Sequence, residues 1–194
     1  KEYILISHDD FYFCPGWDKY LVNEIKLIKN NRFYLSGTMI ENDKIDVDVG
    51  NTYLNFNEQK LVSNLDKLIK NDFQGSTKCP GLIHKELWNE VGGWSEEYSP
   101  TGGDDSDFAM KLWKSNVRIF KGLGKCLVFH FGSITTRKKD KNLNTYLGSR
   151  GNKIFLKKWG ISINFFENKF LKTKQKYDGI LKSPNKNFSF FINL

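Results

Sequence analysis

The sequence lacks any apolar run of the roughly 18 residues or more that a membrane-spanning helix needs. The stretch 1–6 also lacks the basic and then apolar layout of a secretory signal peptide. Cysteine is scarce: three residues, spread far apart, form neither a disulfide framework nor a CxxC metal pair. We therefore expect a chain that neither spans a membrane nor directs its own export, and that resides in the reducing cytoplasm.

Acidic residues are fewer than basic ones, and the formal net charge is +8. A basic chain could bind nucleic acid or an anionic membrane surface. The charge is uneven, however, because carboxylates gather in 41–48 and 96–107, whereas 153–186 carries nine lysines and two carboxylates. We expect no nucleic-acid partner, and a basic nucleic-acid-binding module remains the weakest alternative.

What the sequence has is enough apolar residues for one sizeable core, at 39% hydrophobic and 15% aromatic content over 194 residues. We expect one domain over 1–160 and a basic, aromatic C-terminal extension over 161–194. Aromatic residues among lysines could lie on an anionic membrane at its inner face. The favoured alternative is that they pack on the domain and leave the lysines in water.

An apolar, β-leaning run at 3–7 ends at His8, Asp9 and Asp10 and predicts a buried central strand of an α/β sheet. A helix is predicted after Gly16 from apolar residues three and four apart. Ligand sites in open α/β sheets lie at the carboxyl ends of strands. Adjacent carboxylates there suit Mg²⁺ or Mn²⁺ with a bound diphosphate, but the pair alone fits a plain turn better.

The middle of the chain gives weaker patterns. Strands are predicted at 33–40 and, from alternation, at 45–49. One amphipathic helix is predicted within 61–69, and another from 82 to 91, closed by Gly92. Asp46 and Asp48 would form the wet face of the second strand. A calcium site is the less favoured alternative, because the spacing of an EF-hand loop is missing from Asp43, Asp46 and Asp48.

Three aspartates crowd a predicted helix start that follows two glycines. Capping of the free backbone amides explains one carboxylate well and three poorly. A carboxylate at this position also suits a general base that deprotonates a hydroxyl, and the glycines would let a substrate approach the backbone. Cap and catalyst remain equal alternatives for the segment Gly102, Gly103, Asp104, Asp105 and Asp107.

Two short strands are predicted at 117–120 and 126–131, and the second delivers His130 between two phenylalanines to its end. A histidine in such surroundings is more often packed and hydrogen-bonded than a ligand. His84, in contrast, is expected at an ordinary helix start.

In their order along the chain, these segments resemble the family 2 glycosyltransferases of GT-A fold over about residues 3–160. One match is the strand, the DxD-type motif and the proline-glycine-tryptophan helix start of that family. The others are its acceptor-side segment, its ED-type motif and its late histidine strand. In the same order, the matching stretches are 3–11 with 14–17 for the first match, 78–83 with 87–96 for the acceptor-side segment, 102–108 for the ED-type motif, and 128–133 for the histidine strand.

The resemblance implies a partial GT-A, nucleotide-diphospho-sugar transferase-like mixed sheet flanked by helices. It also implies inverting, metal-dependent transfer from a nucleotide-diphosphate sugar to a saccharide or lipid-linked saccharide. Asp10 and His130 would bind Mn²⁺ or Mg²⁺, and Asp105 would be the catalytic base. Donor or acceptor contacts would come from His8, Asp9, Trp94, Gly102, Gly103, Asp104 and Asp107. His8 departs from the acidic pattern of the motif, and Asp104 replaces the usual glutamate.

In that family a long segment with the nucleotide base and ribose contacts precedes the DxD-type motif, whereas seven residues precede His8 here. The resemblance therefore predicts a fragment of a longer enzyme or a truncated relative. Its first strand would lack usual neighbours, and exposed strand edges favour a homodimer. The alternative function is a non-catalytic carbohydrate-binding or interaction domain of the same fold.

Overall fold

A computed structural model describes residues 2–132 and 141–184, with backbone alone for 141–144. The strands are β1 (Tyr3–Ile6), β2 (Phe11–Phe13), β3 (Phe33–Ile40), β4 (Phe73–Gln74), β5 (Gly81–His84) and β6 (Ile119–His130). The α-helices are α1 (Trp17–Leu27), α2 (Glu58–Val62), α3 (Leu65–Leu68), α4 (Lys85–Val91), α5 (Asp104–Lys114), α6 (Lys141–Trp159) and α7 (Ile163–Phe165). Short 3₁₀ helices span Asn42–Lys44 and Glu96–Tyr98, and a π-helix spans Phe166–Leu171.

The strands form one mixed sheet in the order β1-β5-β3-β6-β2, and β4 pairs with β6 beside this path. β3 runs parallel to β6 and antiparallel to β5, which is itself antiparallel to β1. The strands β1, β3 and β6 therefore point the same way. The predicted α/β class with a mixed sheet is confirmed.

Helices cover both faces of the sheet. On one face, Leu21 of α1 packs with Phe33, Leu35 and Leu82. The other face carries the larger cluster, to which α4, α5, α6 and the π-helix all contribute. A third cluster lies under the irregular segment 45–57. The helical stripe expected after Gly16 is α1, and its buried residue is Leu21.

The expectation that β1 is a central strand was wrong. Within the described residues β1 pairs with β5 alone and forms an outer strand with half-buried side chains. A continuous apolar run reports helices above and below a strand, and it carries no information about neighbours within the sheet. The exposed edge keeps the homodimer as a prediction.

The strand predicted at 45–49 was also wrong, because these residues follow the 3₁₀ helix as irregular chain. Asp48 Oδ1 accepts hydrogen bonds from Gly50 N and Asn42 Nδ2, each at 3.0 Å. The alternation arose because Val49 and its neighbours pack into the third cluster while the aspartates face water.

Three further boundaries differ from the prediction. The helix expected over 82–91 is strand β5 followed by α4, and Gly92 closes α4 with a φ of 74°. His84 begins α4 as expected, since its Nδ1 accepts from Glu86 N. The helix expected within 61–69 is two short helices that break near Asn64.

The two strands predicted at 117–131 are one strand, β6. Glycines suggested a break, but they serve close packing here: a methyl group at Gly122 would overlap the Phe73 ring, and one at Gly124 the Lys70 carbonyl. The pairing with β3 is irregular between Ser36 and Thr38. The continuous strand therefore bends without ending.

Residues 161–171 pack into the main core, where Phe166, Phe170 and Leu171 are fully buried. This agrees with the favoured alternative for the tail; residues 185–194 and Ser133 lie outside the described residues. None of the described helices is long and apolar enough to cross a membrane. All three cysteines are buried, and none forms a disulfide.

Candidate functional site

One edge of the sheet collects residues from four parts of the sequence. Residues 8–10 follow β1, Glu41 follows β3, and His130 ends β6. Because these strands point the same way, all these residues lie at the carboxyl edge. β5 runs in the opposite direction, so residues 77–79, which lead into it, lie at this edge too.

His130 is the centre of one group at this edge. Its ring is buried, with Nε2 3.0 Å from Asp10 Oδ2 and Nδ1 2.7 Å from Glu41 Oε1. Phe11 meets the imidazole edge-on at 5.2 Å between ring centroids. Glu41 also forms an ion pair with Lys44. The histidine is therefore packed and hydrogen-bonded, and it also contacts the aspartate expected to share a metal with it.

The pair Asp10 and His130 fits a divalent cation. Two ligands of one octahedral ion, each about 2.1 Å from it, are about 3 Å apart, which is the separation of these two side chains. A proton on Nδ1 of His130 would donate to Glu41, and such a contact orients the opposite ring nitrogen in metal sites. No group of three or more potential metal ligands occurs in 2–132 and 141–184. Within the described residues this pair would therefore supply two ligands of the shell.

The other two members of the turn are exposed. His8 lies beside Phe11, with ring centroids 5.1 Å apart, and Asp9 faces solvent. Residues 7–10 connect β1 to β2, the two outer strands of the sheet. The connection therefore crosses the carboxyl edge, where both side chains are accessible to a ligand.

Asp105 is the second group at this edge. It lies half-buried in the first turn of α5. Burial is the main reason why its pKa is raised to about 7; the charges of Asp104 and Glu167 raise it further, and Lys78 opposes them. The charge of Asp105 in turn helps burial to raise the pKa of the Cys79 thiol to about 12. Asp105 therefore lies close to the segment that leads into β5.

Glu167 and Lys78 are site residues that sequence reasoning missed, together with Glu41. Ser106 Oγ donates to Glu167 Oε1 at 2.7 Å, which holds the π-helix against the start of α5. Glu41 could have been found, since it directly follows the predicted strand 33–40. No local pattern could have found Glu167, which is 61 positions from its partner.

Asp107 does not face the cleft. Its carboxylate is fully buried and accepts hydrogen bonds from four side chains. The donors are Ser95 Oγ at 2.6 Å, Tyr98 OH at 3.2 Å, Trp159 Nε1 at 2.7 Å and Lys158 Nζ, whose nearer oxygen lies at 3.0 Å. This network attaches α6 to the start of α5, and a contact of Asp107 with donor or acceptor stays a prediction.

The two glycines before α5 also serve packing. Both have positive φ, 108° at Gly102 and 87° at Gly103. A methyl group at Gly151 of α6 would overlap the Gly102 carbonyl, and one at Gly102 would lie 2.7 Å from the Leu147 carbonyl oxygen. The close approach that these glycines permit is therefore that of α6 to the loop before α5. A contact of substrate with Gly102 and Gly103 stays a prediction.

Trp94 and Asp104 lie near Asp105 in different roles. Trp94 is half-buried and stacks on Phe108 of α5, with ring centroids 5.0 Å apart. Asp104 Oδ1 accepts a hydrogen bond from Gly102 N at 2.9 Å and so closes the turn that starts the helix. Asp104 thus stabilises the turn before the helix, and Asp105 takes no part in that bond.

No protein-family model matches the chain, and no curated protein matches it.

Proposed function

We propose that this chain is the metal-binding and acceptor-binding part of a GT-A type, inverting glycosyltransferase. It transfers a sugar from a nucleotide-diphosphate sugar to a hydroxyl group of a saccharide or lipid-linked saccharide. The observation that carries the proposal is Asp105: a half-buried carboxylate with a pKa of about 7, at the sheet edge that also holds Asp10 and His130.

A general base works best when its pKa lies near the operating pH. With a pKa of about 7, Asp105 is ionised in about half of the molecules at neutral pH. It is also a stronger base than an ordinary aspartate. The acceptor hydroxyl loses its proton to Asp105 as the oxygen attacks the anomeric carbon from the face opposite the leaving group.

Asp10 and His130 hold the divalent cation in this proposal, with Glu41 orienting the imidazole. The cation supplies positive charge for the leaving nucleoside diphosphate. His8 and Asp9, exposed beside this pair, contact the donor. Lys78 contributes a further positive charge near the base.

The test is an assay of purified protein with Mn²⁺, a panel of nucleotide-diphosphate sugars and a mixture of saccharide acceptors. Mass spectrometry measures released nucleoside diphosphate and glycosylated product. Asp105→Asn should lower the transfer rate about 100-fold or more, because it removes the base. The matched control is Asp18→Asn, an exposed first-turn aspartate of α1 that should leave the rate unchanged.

The pH profile provides a second readout. The rate should rise as pH increases through about 7, since only the ionised form of Asp105 accepts a proton. A rate that does not respond to Asp105→Asn would contradict the assigned base. Binding of saccharides without any donor turnover would favour the non-catalytic carbohydrate-binding domain instead.

Metal binding is testable without turnover. Mn²⁺ at about 100 times its dissociation constant should stabilise the fold by about 2.7 kcal/mol. Asp10→Asn and His130→Gln should abolish this shift in thermal denaturation. The control is Asp46→Asn, which changes an exposed aspartate in the irregular segment after β3 and should retain the shift. An equal shift in all variants would place the cation elsewhere.

A further inference from the structure

A cleft of about 290 Å³ is lined by the segment 73–79, which leads into β5. Lys78 and Glu167, whose charges act on the carboxylate of Asp105, both line it. Its walls also carry the hydroxyl groups of Ser76, Thr77 and Thr173, and the apolar side chains of Met39 and Phe73. Hydroxyl groups beside apolar side chains suit a sugar ring, which has polar edges and apolar faces.

A second cleft, of about 500 Å³, continues from the first. The two clefts share Met39, Phe73 and Lys174 and are therefore adjacent, and we name them together the basic groove. Its outer part is lined by residues 70–73 and 174–176. A groove that joins two clefts accommodates a ligand longer than one sugar.

The basic groove has a net positive charge, because four lysines line it against the two carboxylates of Asp72 and Glu167. Four exposed lysines line it: Lys70, Lys78, Lys174 and Lys176. Its carboxylates are engaged elsewhere, since Asp72 pairs with Lys121 at 3.0 Å and Glu167 accepts from Ser106. Within the described residues no carboxylate forms an ion pair with any of the four lysines. Their charges are therefore available to an anionic ligand.

Backbone conformation and hydrogen bonds fix the segment 172–176, which carries Lys174 and Lys176. Lys172 and Lys174 both have positive φ, 54° and 68°, which is uncommon for residues other than glycine. Thr173 N donates to the Glu167 carbonyl at 3.0 Å, and Gln74 N donates to the Gln175 carbonyl at 2.8 Å. These bonds tie the segment to the π-helix and to β4. The groove is thus largely preformed.

We propose that the basic groove binds the acceptor, and that this acceptor is a saccharide chain carrying phosphate or carboxylate groups. Its reactive hydroxyl lies beside Asp105, and its anionic groups contact Lys70, Lys174 and Lys176. The inference rests on the proposed function, because it assigns the substrate class of the same site. Charge-assisted contacts with several lysines supply affinity along the chain.

The test measures binding in the absence of donor and metal. The carboxylate probe is an oligogalacturonate, with its neutral methyl ester as the matched ligand; the phosphate probe is phosphorylated dextran, with unmodified dextran as its match. Calorimetry should detect at least one anionic probe binding at least tenfold more tightly than its neutral match. The double variant Lys174→Gln/Lys176→Gln should weaken that binding about tenfold.

The control is Lys19→Gln/Lys157→Gln, which removes the same charge from exposed positions outside the groove. It should change binding less than twofold. Equal affinity for charged and neutral probes, no binding of either anionic probe, or an equal loss in both double variants would overturn the proposal. So would tighter, steeply salt-dependent binding of a single-stranded RNA to the same surface.

These outcomes separate the two proposals. Anionic saccharide binding that persists in a protein without transfer activity would reject the glycosyltransferase and keep the groove. Transfer to neutral acceptors that is insensitive to Lys174→Gln/Lys176→Gln would keep the enzyme and reject the groove.

Discussion

Helices α1 and α5 begin in the same way and differ in what surrounds their first turn. Each has 11 residues, an N-cap glycine in the left-handed region and no side-chain hydrogen bond at the cap. Around Gly16 nothing lies within 4 Å of an added methyl group, and Asp18 is exposed. A methyl group added at Gly103 would contact three other elements: the 3₁₀ helix Glu96–Tyr98, helix α6 and helix α7.

The difference teaches that an acidic helix start is not a site by itself. At α1 the first-turn carboxylate of Asp18 is exposed to water and lies at the positive end of the helix dipole. At α5 other elements bury the first turn, so one carboxylate anchors α6, one caps the turn, and one acquires a pKa of about 7. Substitutions made in parallel at the two helices measure how much the surroundings contribute.

The largest expected effect is at Asp107. Asp107→Ala removes the acceptor that four side chains share, among them the Trp159 indole, whereas the Lys158 ammonium keeps its ion pair with Glu97 at 2.6 Å. Because each buried donor left without an acceptor costs about 1–3 kcal/mol, we expect a total loss of about 3–5 kcal/mol of unfolding free energy. Asp18→Ala should cost at most about 1 kcal/mol. Urea denaturation measures both, and equal values would show that the network contributes nothing.

The next effect is at Asp105 and depends on pH. Its folded-state pKa of about 7 lies above the unfolded value, so the stability that comes from the protonated form is present below about pH 4 and is lost as pH rises through 7. The asparagine variant is neutral at every pH and does not lose this stability. The difference in unfolding free energy between Asp105→Asn and the wild type should therefore be more favourable to the variant at pH 8 than at pH 4, by on the order of 2–4 kcal/mol.

Thermal denaturation across this pH range tests the expectation, with Asp18→Asn in parallel. The α1 variant should give a nearly constant difference from the wild type. If the stability difference between Asp105→Asn and the wild type is also independent of pH, the pKa of Asp105 is not raised. The proposed base would then lose its main support.

The smallest effect concerns the contact of α6 with the loop before α5. Alanine at one glycine of α6 should stabilise the fold, and alanine at another should destabilise it. In a helix, alanine is favoured over glycine by about 0.5–1 kcal/mol. Gly148→Ala meets nothing within 4 Å and should stabilise by about this amount. Gly151→Ala overlaps the Gly102 carbonyl and should destabilise by about 1–3 kcal/mol. Stabilisation by both substitutions, measured by urea denaturation, would mean that α6 does not approach the loop closely.

Several elements were predictable because their signals are local. The run 33–40 became β3, the stripe after Gly16 became α1, and the acidic cluster became the start of α5. The wrong predictions arose where a local pattern has two physical causes. Gly122 and Gly124 suggested a strand break, yet they make room for Phe73 and Lys70.

The candidate site divides in the same way. The positions of Asp10, His130 and Asp105 after strands or at a helix start made them candidates, and the resemblance to a glycosyltransferase family supplied their expected roles. It could not identify Glu41 as the partner of the imidazole, nor Glu167 and Lys78 as the charges acting on Asp105. Such partners come from distant parts of the chain, and a pKa depends on their distances and on burial.

The sequence by itself determined the α/β class, the main helix and strand that flank the site, and which acidic and histidine residues stand where strands end or helices begin. These features follow from the period of apolar residues and from backbone conformations that single residues impose. Only the tertiary structure decided that β1 is an outer strand, that Asp107 anchors α6 while Asp105 remains available, and that the C-terminal segment forms one wall of the basic groove. Those outcomes depend on contacts between residues far apart in sequence, which no local pattern encodes.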